Sequence, residues 1–210
     1  GVQINIHAIG DFGNREVLRW YKNAFDQIPI ANRKIKDPRW RIEHSQILHI
    51  DDISLFSEYG IIPSMQPSHA IGDLYFAENR LGKKRLAGGY AWRSLIDNGS
   101  IIAGGTDAPV ETGDPRIEFY AAIVRKGLDG FTSDAWYNNQ KVNSQEALKM
   151  FTKWPAYASF REQEIGTIQV GKKADFTIFD IDILTSEASN ILNAKPLMTI
   201  VDGKVAFEAK

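Results

Sequence analysis

A small set of residues stands out for the chemistry their types allow. The chain has four histidines, His7, His44, His49 and His69. His7, His44 and His69 fall at or just past the end of a short apolar run. Asp107 closes a fourth such run in Gly104-Gly105-Thr106-Asp107. Imidazole and carboxylate are the ligands that Zn2+ and similar divalent ions take where no thiolate is available, and the chain contains no cysteine. Such an ion acidifies a water until it attacks at neutral pH, and a nearby carboxylate then takes and returns the proton. Each residue alone is ordinary. A single histidine at a strand end is usually a satisfied polar group, and an aspartate after Gly-Thr is usually a cap. The joint pattern carries the expectation of a metal or catalytic site. His49 reads as a surface or capping residue. Asp11 reads as a helix cap also placed for a supporting bond to His7. Asp73 and Glu111 are candidate pocket acids, and Trp92, Trp136 and Tyr137 read as core or rim aromatics, the last two in a loop able to cover the site.

The elements that must position these residues alternate between strand and helix. Residues 2–6 read as a strand. Over residues 14–28 the apolar positions Val17, Leu18, Tyr21, Ala24, Phe25 and Ile28 recur at helical spacing. Residues 40–44 read as a second strand. A helix bearing Ile53, Phe56 and Tyr59 follows, capped by Asp51 or Asp52 and stopped by Gly60. Residues 61–65 make a third strand, residues 85–97 a helix, residues 100–105 a fourth strand and residues 115–126 a helix. Four successive strand–helix units with apolar strands are the pattern of a parallel sheet covered by helices. The carboxyl ends of such strands are where distant residues converge.

Strand alternation sharpens this picture. In the first strand Gln3, Asn5 and His7 share one side and Val2, Ile4 and Ile6 the other, as expected for a polar inner face and a helix-covered outer face. In the fourth, Ile101, Ala103, Gly105 and Asp107 share a side whose small residues leave room. The second strand is ambiguous. Aligning Trp40, Ile42 and His44 sends Arg41 and Glu43 toward the helices, where they either pair or require a bulge.

After about residue 140 the texture changes. Residues 144–160 read as one or two helices interrupted at Pro155. A hairpin is expected over residues 168–180, with Gly171 at its turn. A second is expected over residues 197–207, with Asp202-Gly203 as a type I′ turn. This gives an α/β chain in two parts, 1–162 and 163–210.

With 25 Lys+Arg against 26 Asp+Glu the formal charge is -1, so no whole-protein field exists to hold nucleic acid or an anionic membrane. Hydrophobic residues make up 43% and charged residues 24%, a balance that suits a globular chain. No apolar run approaches the roughly 20 residues needed to span a bilayer. The lack of cysteine fits a cytoplasmic protein. The sequence opens at Gly1 inside a strand pattern, and it reads as a piece of a longer protein.

Several motifs occur together and in order: His7-Ala8-Ile9-Gly10-Asp11, Arg41-Ile42-Glu43-His44-Ser45-Gln46, Met65-Gln66-Pro67-Ser68-His69, Ala91-Trp92-Arg93-Ser94-Leu95, Gly105-Thr106-Asp107-Ala108-Pro109-Val110, and the stretch from Gly166 through Gly171-Lys172-Lys173-Ala174-Asp175 to Phe176. Over essentially the whole chain this set resembles the C-terminal part of a metal-dependent amidohydrolase of the amidohydrolase-3 (YtcJ-like) branch, whose relatives include N-substituted formamide deformylases.

The resemblance implies strands five to eight of a (β/α)8 TIM barrel, followed by the C-terminal strands of a small β-sandwich. It implies His7 and His44 as metal ligands and Asp107 as a metal-binding residue that shuttles the proton. His69 would bind the substrate and polarise its carbonyl. One or two divalent ions, Zn2+ above all, would serve a small amide-like substrate. The family's His-x-His pair and its bridging lysine or acidic residue are absent from these residues. The resemblance therefore implies an inactive piece that needs the other half of the barrel, or association with another copy through exposed edges. Two rival readings are a non-catalytic amidohydrolase-like scaffold and a stand-alone open sheet binding a small ligand.

Overall fold

The structure is a computed structural model and describes residues 1–131 and 136–210. Four strands, β1 (Asn5–Ala8), β2 (Arg41–His44), β3 (Ile62–Met65) and β4 (Ala103–Gly104), form a parallel sheet in that order. The helices between and after them are α1 (Asp11–Gln27), α2 (Ile53–Tyr59), α3 (Pro67–Asp73), α4 (Ala77–Leu86), α5 (Trp92–Asp97) and α6 (Pro115–Val124). Then come α7 (Ser144–Phe151), α8 (Lys153–Ala158), β5 (Phe176–Phe179), α9 (Ala188–Ile191), β6 (Pro196–Val201) and β7 (Lys204–Glu208). The last three strands make an antiparallel sheet ordered β5-β6-β7. The chain is thus a mixed α/β fold. Among the described residues, no helix is long and apolar enough to cross a membrane.

Register decides which side chains meet. In the parallel sheet Asn5 lies beside Arg41, His7 beside Glu43, Glu43 beside Ser64, and Ser64 beside Ala103. These residues share one face. Ile42 and Met65 point the other way, into the main core with Val17, Leu18, Tyr21, Phe56 and Leu95. Trp40 joins that layer, its ring tilted against that of Phe25 with centroids 4.6 Å apart. Ile62 and Ala103, on the inner face, close against Ala158 at the end of α8. The second strand is therefore corrected: Ile42 faces the helices, while Arg41 and Glu43 face inward and pair with each other at 3.1 Å.

Other departures have local causes. The strand expected over residues 2–6 begins at Asn5, which places His7 inside the ladder. The connection after β3 holds two unforeseen helices. Of these, α3 starts at Pro67, a residue whose fixed φ suits a first helical turn. The helix expected from residue 85 starts only at Trp92, because Gly88 and Gly89 run as irregular backbone against residues 47 and 48. Leu48 N–H donates to Gly88 O at 2.9 Å there. The break between α7 and α8 falls at Thr152 (φ -134, ψ -83), not at Pro155. Pro155 sits in the first turn of α8, where its missing N–H costs nothing. No hairpin forms over residues 168–180; β5 pairs instead with β6 across α9. The second hairpin forms at the expected place, with Asp202 (φ 51) and Gly203 (φ 76) at its turn.

The close passage at Gly88 is demanding. A Cβ there would lie 2.0 Å from Leu48 O, whereas one on Gly72, inside α3, would meet nothing within 4 Å. Urea denaturation should therefore show Gly88→Ala destabilised by more than about 2 kcal/mol. Gly72→Ala should be neutral, or stabilised by up to about 1 kcal/mol.

Candidate active site

The carboxyl ends of the four parallel strands bring His7, His44, His69 and Asp107 together. His7 lies in β1 and His44 ends β2, and their rings meet edge to face with centroids 4.5 Å apart. Strict alternation would turn His44 toward the helices with Ile42. Left-handed backbone at His44 (φ 76) and Ser45 (φ 46) swings the ring to the His7 side instead. Non-glycine residues in this region carry a conformational cost, and such costs cluster at functional sites. Asp107 has the same left-handed conformation (φ 55).

The protonation of His44 follows from its neighbour. Gln66 Oε1 lies 2.9 Å from His44 Nδ1. A carbonyl oxygen only accepts, so Nδ1 carries a proton and donates, which leaves Nε2 as the nitrogen available to a ligand. A ligating imidazole requires this arrangement. Gln66 occupies the N-cap position of α3 but makes no side-chain cap there, its amide being spent on His44.

His69 sits in the first turn of α3, its ring 5.7 Å from that of His44. Both of its ring nitrogens are buried and have no hydrogen-bond partner among the described residues. Nε2 is 3.6 Å from Glu111 Oε1 and 3.8 Å from Asp107 Oδ2, just beyond bonding range. Burial holds its pKa below the usual histidine value, so the ring is neutral at pH 7. Leaving buried polar nitrogens unpaired costs about 1–3 kcal/mol, a cost that a group placed between His69 and the two carboxylates would remove.

Asp11 does not support His7. It lies in the first turn of α1, the N-cap being Gly10, and its two oxygens accept from Arg85 at 2.7 and 2.8 Å. That pairing lowers its pKa. The loop ends are pinned instead by buried Asn14, whose amide nitrogen lies 3.0–3.2 Å from the carbonyl oxygens of Ala8, Ile9, Gly10 and Ile47. His49 caps a short helical turn, accepting from Asp51 N–H. Asp73 accepts from the Tyr90 hydroxyl, and Trp136 is core, donating to Ala70 O at 3.0 Å. The roles of Gln66 and Glu118 escaped the sequence reading. Gln66 figures there only as part of the motif before His69 and Glu118 not at all, and each acts through a partner far away in the chain.

The donor types suit a divalent ion. His7 and His44 place two imidazole rings side by side, their centroids 4.5 Å apart. Yet among the described residues no group of three or more histidine, aspartate or glutamate side chains is arranged to hold an ion. Asp107 leans toward His69, so these residues fit the ion as part of a site.

A sequence model described as amidohydrolase family matches residues 1–207. The chain belongs to the amidohydrolase family. It is 29% identical to the putative amidohydrolase YtcJ of Bacillus subtilis (strain 168), an alignment covering 99% of this chain and 38% of that protein. It is 26% identical to the N-substituted formamide deformylase of Arthrobacter pascens, covering 99% of this chain and 37% of that protein. The chain thus spans well under half the length of these relatives. The fold matches a solved metal-dependent hydrolase of Pyrococcus horikoshii with a TM-score of 0.74 at 25% identity, over 89% of this chain and 35% of that one. Both the amidohydrolase-3 assignment and the likeness to formamide deformylases made from the motifs hold.

The hold on α3 gives this amidohydrolase segment a pH signature. Glu118 in α6, 1% exposed, accepts the Ser68 N–H at 2.8 Å and so anchors the turn that carries His69. Burial raises its pKa from 4.5 to about 7. Between those values the folded chain binds more protons than the unfolded one, so this contribution to stability falls as pH rises and is lost above about pH 7. Urea titrations across the window should show Glu118→Gln gaining on wild type as pH rises, with a total change on the order of 3 kcal/mol. A difference that does not vary with pH would contradict the assignment.

Proposed function

We propose that this chain supplies the C-terminal half of the active site of a metal-dependent hydrolase that cleaves a carbon–nitrogen bond in an amide or cyclic amide. The observation that carries this reading is the meeting of His7 with His44, whose tautomer is fixed by Gln66, beside a buried His69 with no hydrogen-bond partner and beside Asp107. His7 and His44 would hold a divalent ion, with Zn2+ the best match to two imidazoles. When bound, that ion supplies Lewis acidity and an acidified water.

The protein's own groups then divide the work. Asp107 Oδ2 takes a proton from the attacking water as its oxygen bonds to the carbonyl carbon. Asp107 returns that proton to the nitrogen as the C–N bond breaks, giving a carboxylic acid and an amine. His69, neutral, donates its ring N–H to the carbonyl oxygen as negative charge develops there. Glu111 flanks His69, its Oε1 3.6 Å from Nε2.

The open edges of β1 and β4, the solvent exposure of Asn5 and His7 on the inner face, and the chain's short span of its relatives all support companion strands that close a barrel. On this reading these 210 residues are inactive without them. A non-catalytic scaffold draws on one observation, the incomplete ligand set among the described residues.

Assay of the zinc-loaded full-length protein against N-substituted formamides and cyclic amides separates the two. Wild type should turn over at least one class. Asp107→Asn should lose about 10²-fold or more in kcat with zinc content retained. Unchanged turnover in that variant removes Asp107 from the proton path, and no turnover by zinc-loaded wild type favours the scaffold.

A further inference from the structure

We propose that Tyr90 is a positioning residue: its hydroxyl ties the loop after His44 to the far end of the helix that carries His69, and so sets how the two imidazoles face one carbonyl. Tyr90 is 1% exposed and takes left-handed backbone (φ 48). It follows Gly88 and Gly89, which pass against residues 47 and 48, and its N–H donates to Gln46 O at 2.6 Å. Its hydroxyl donates to the Asp73 carboxylate and accepts from the Gln46 side-chain amide at 3.0 Å. Gln46 lies two residues past His44, and Asp73 lies one helical turn past His69.

The shortness of α3 makes this bond matter. A seven-residue helix does not hold itself in place. Its start is tied to β2 by Gln66, whose Oε1 meets His44 Nδ1 at 2.9 Å. One attachment fixes a distance and leaves the helix free to pivot, whereas a second at its far end fixes the orientation. Tyr90 supplies that second attachment, and His69 lies between the two. The Glu118 bond to Ser68 N–H and the Trp136 bond to Ala70 O hold α3 against α6 and the chain beyond it, not against β2. Tyr90 is itself held from behind. Buried Arg125 donates to Tyr90 O at 3.0 Å, its guanidinium 4.5 Å from the centre of the Trp92 ring.

Packing alone does not account for the hydroxyl. The Tyr90 ring lies 6.5 Å from that of Trp92 and 6.4 Å from that of Trp136, and phenylalanine would fill the same space. The oxygen adds two bonds, both to residues that follow a site histidine closely in the chain. A non-glycine residue in left-handed backbone carries a cost of the kind found where geometry serves a site. The effect on turnover rests on the hydrolase reading above; the effect on ring placement does not.

The test compares zinc-loaded full-length wild type with Tyr90→Phe and with Asp73→Ala, which removes the acceptor at a half-buried position outside the core. Wild-type crystals give the reference, a His44–His69 centroid separation of 5.7 Å in the present structure. In both variants the His69 ring should move relative to His44 by more than about 0.5 Å, the tolerance of a productive site. Where wild type turns over an amide, kcat should fall about 10-fold or more in both variants, with KM unchanged within about twofold. That split follows because His69 meets charge that develops only in the transition state, and a loss of stability alone would not produce it. The double variant should be no slower than the slower single one, because both break one link. An unmoved ring overturns the proposal, and so does an unchanged kcat in an active enzyme. Asp73→Ala leaves the core intact, so the test stands should Tyr90→Phe fail to fold. If zinc-loaded wild type turns over nothing, the hydrolase reading fails and the position of the ring alone decides for or against Tyr90.

Discussion

Parallel register is the constraint on which the rest of this structure depends. Because β1 to β4 run the same way in sequential order, each strand delivers its carboxyl end to the same rim. Side chains separated by up to a hundred positions then share one small volume. The outer face of the sheet is fixed by burial of Ile42 and Met65 among helix side chains. Slipping a strand by one residue would exchange those apolar groups for Arg41, Glu43 or Ser64, a change the core does not tolerate. The polar rim is therefore held in place by apolar packing on the opposite face.

The rim itself departs from low-energy geometry. His44, Ser45 and Asp107 take left-handed backbone, and among the described residues both nitrogens of His69 lack a partner and the buried Glu118 carboxyl has no ion pair. Each feature costs free energy, and together they surround one site. The core carries that cost, with Trp92, Tyr90, Phe56, Leu18 and Ile42 almost fully buried. Such a division, a regular core beneath a strained polar rim, is what pre-organisation for a ligand requires.

Much of this was legible in the sequence, and the failures have physical causes. Helical spacing found α1 and α2, and Gly60 ends α2 in left-handed conformation as the pattern required. Asp202-Gly203 marked its hairpin because both residues tolerate positive φ. The clustering of His7, His44, His69 and Asp107 followed from their places at strand ends. The facing of β2 did not, because alternation assumes extended backbone and His44 breaks it. The helix α3 was hidden because Pro67 reads as a breaker unless it is recognised as a first-turn residue. Asp11 was misplaced because its partner, Arg85, lies 74 residues away, and the pairing of Gln66 with His44 spans 22. Contacts of that kind leave no local trace.

The central claim is that His7 and His44 are two ligands of one ion. Anomalous diffraction at the zinc edge, on crystals of the full-length protein grown with zinc, addresses it directly. The account predicts a peak about 2.0–2.1 Å from a ring nitrogen of each histidine, with Nε2 as the ligating atom of His44. A zinc peak bound elsewhere in the protein, with both imidazoles unligated, would contradict it.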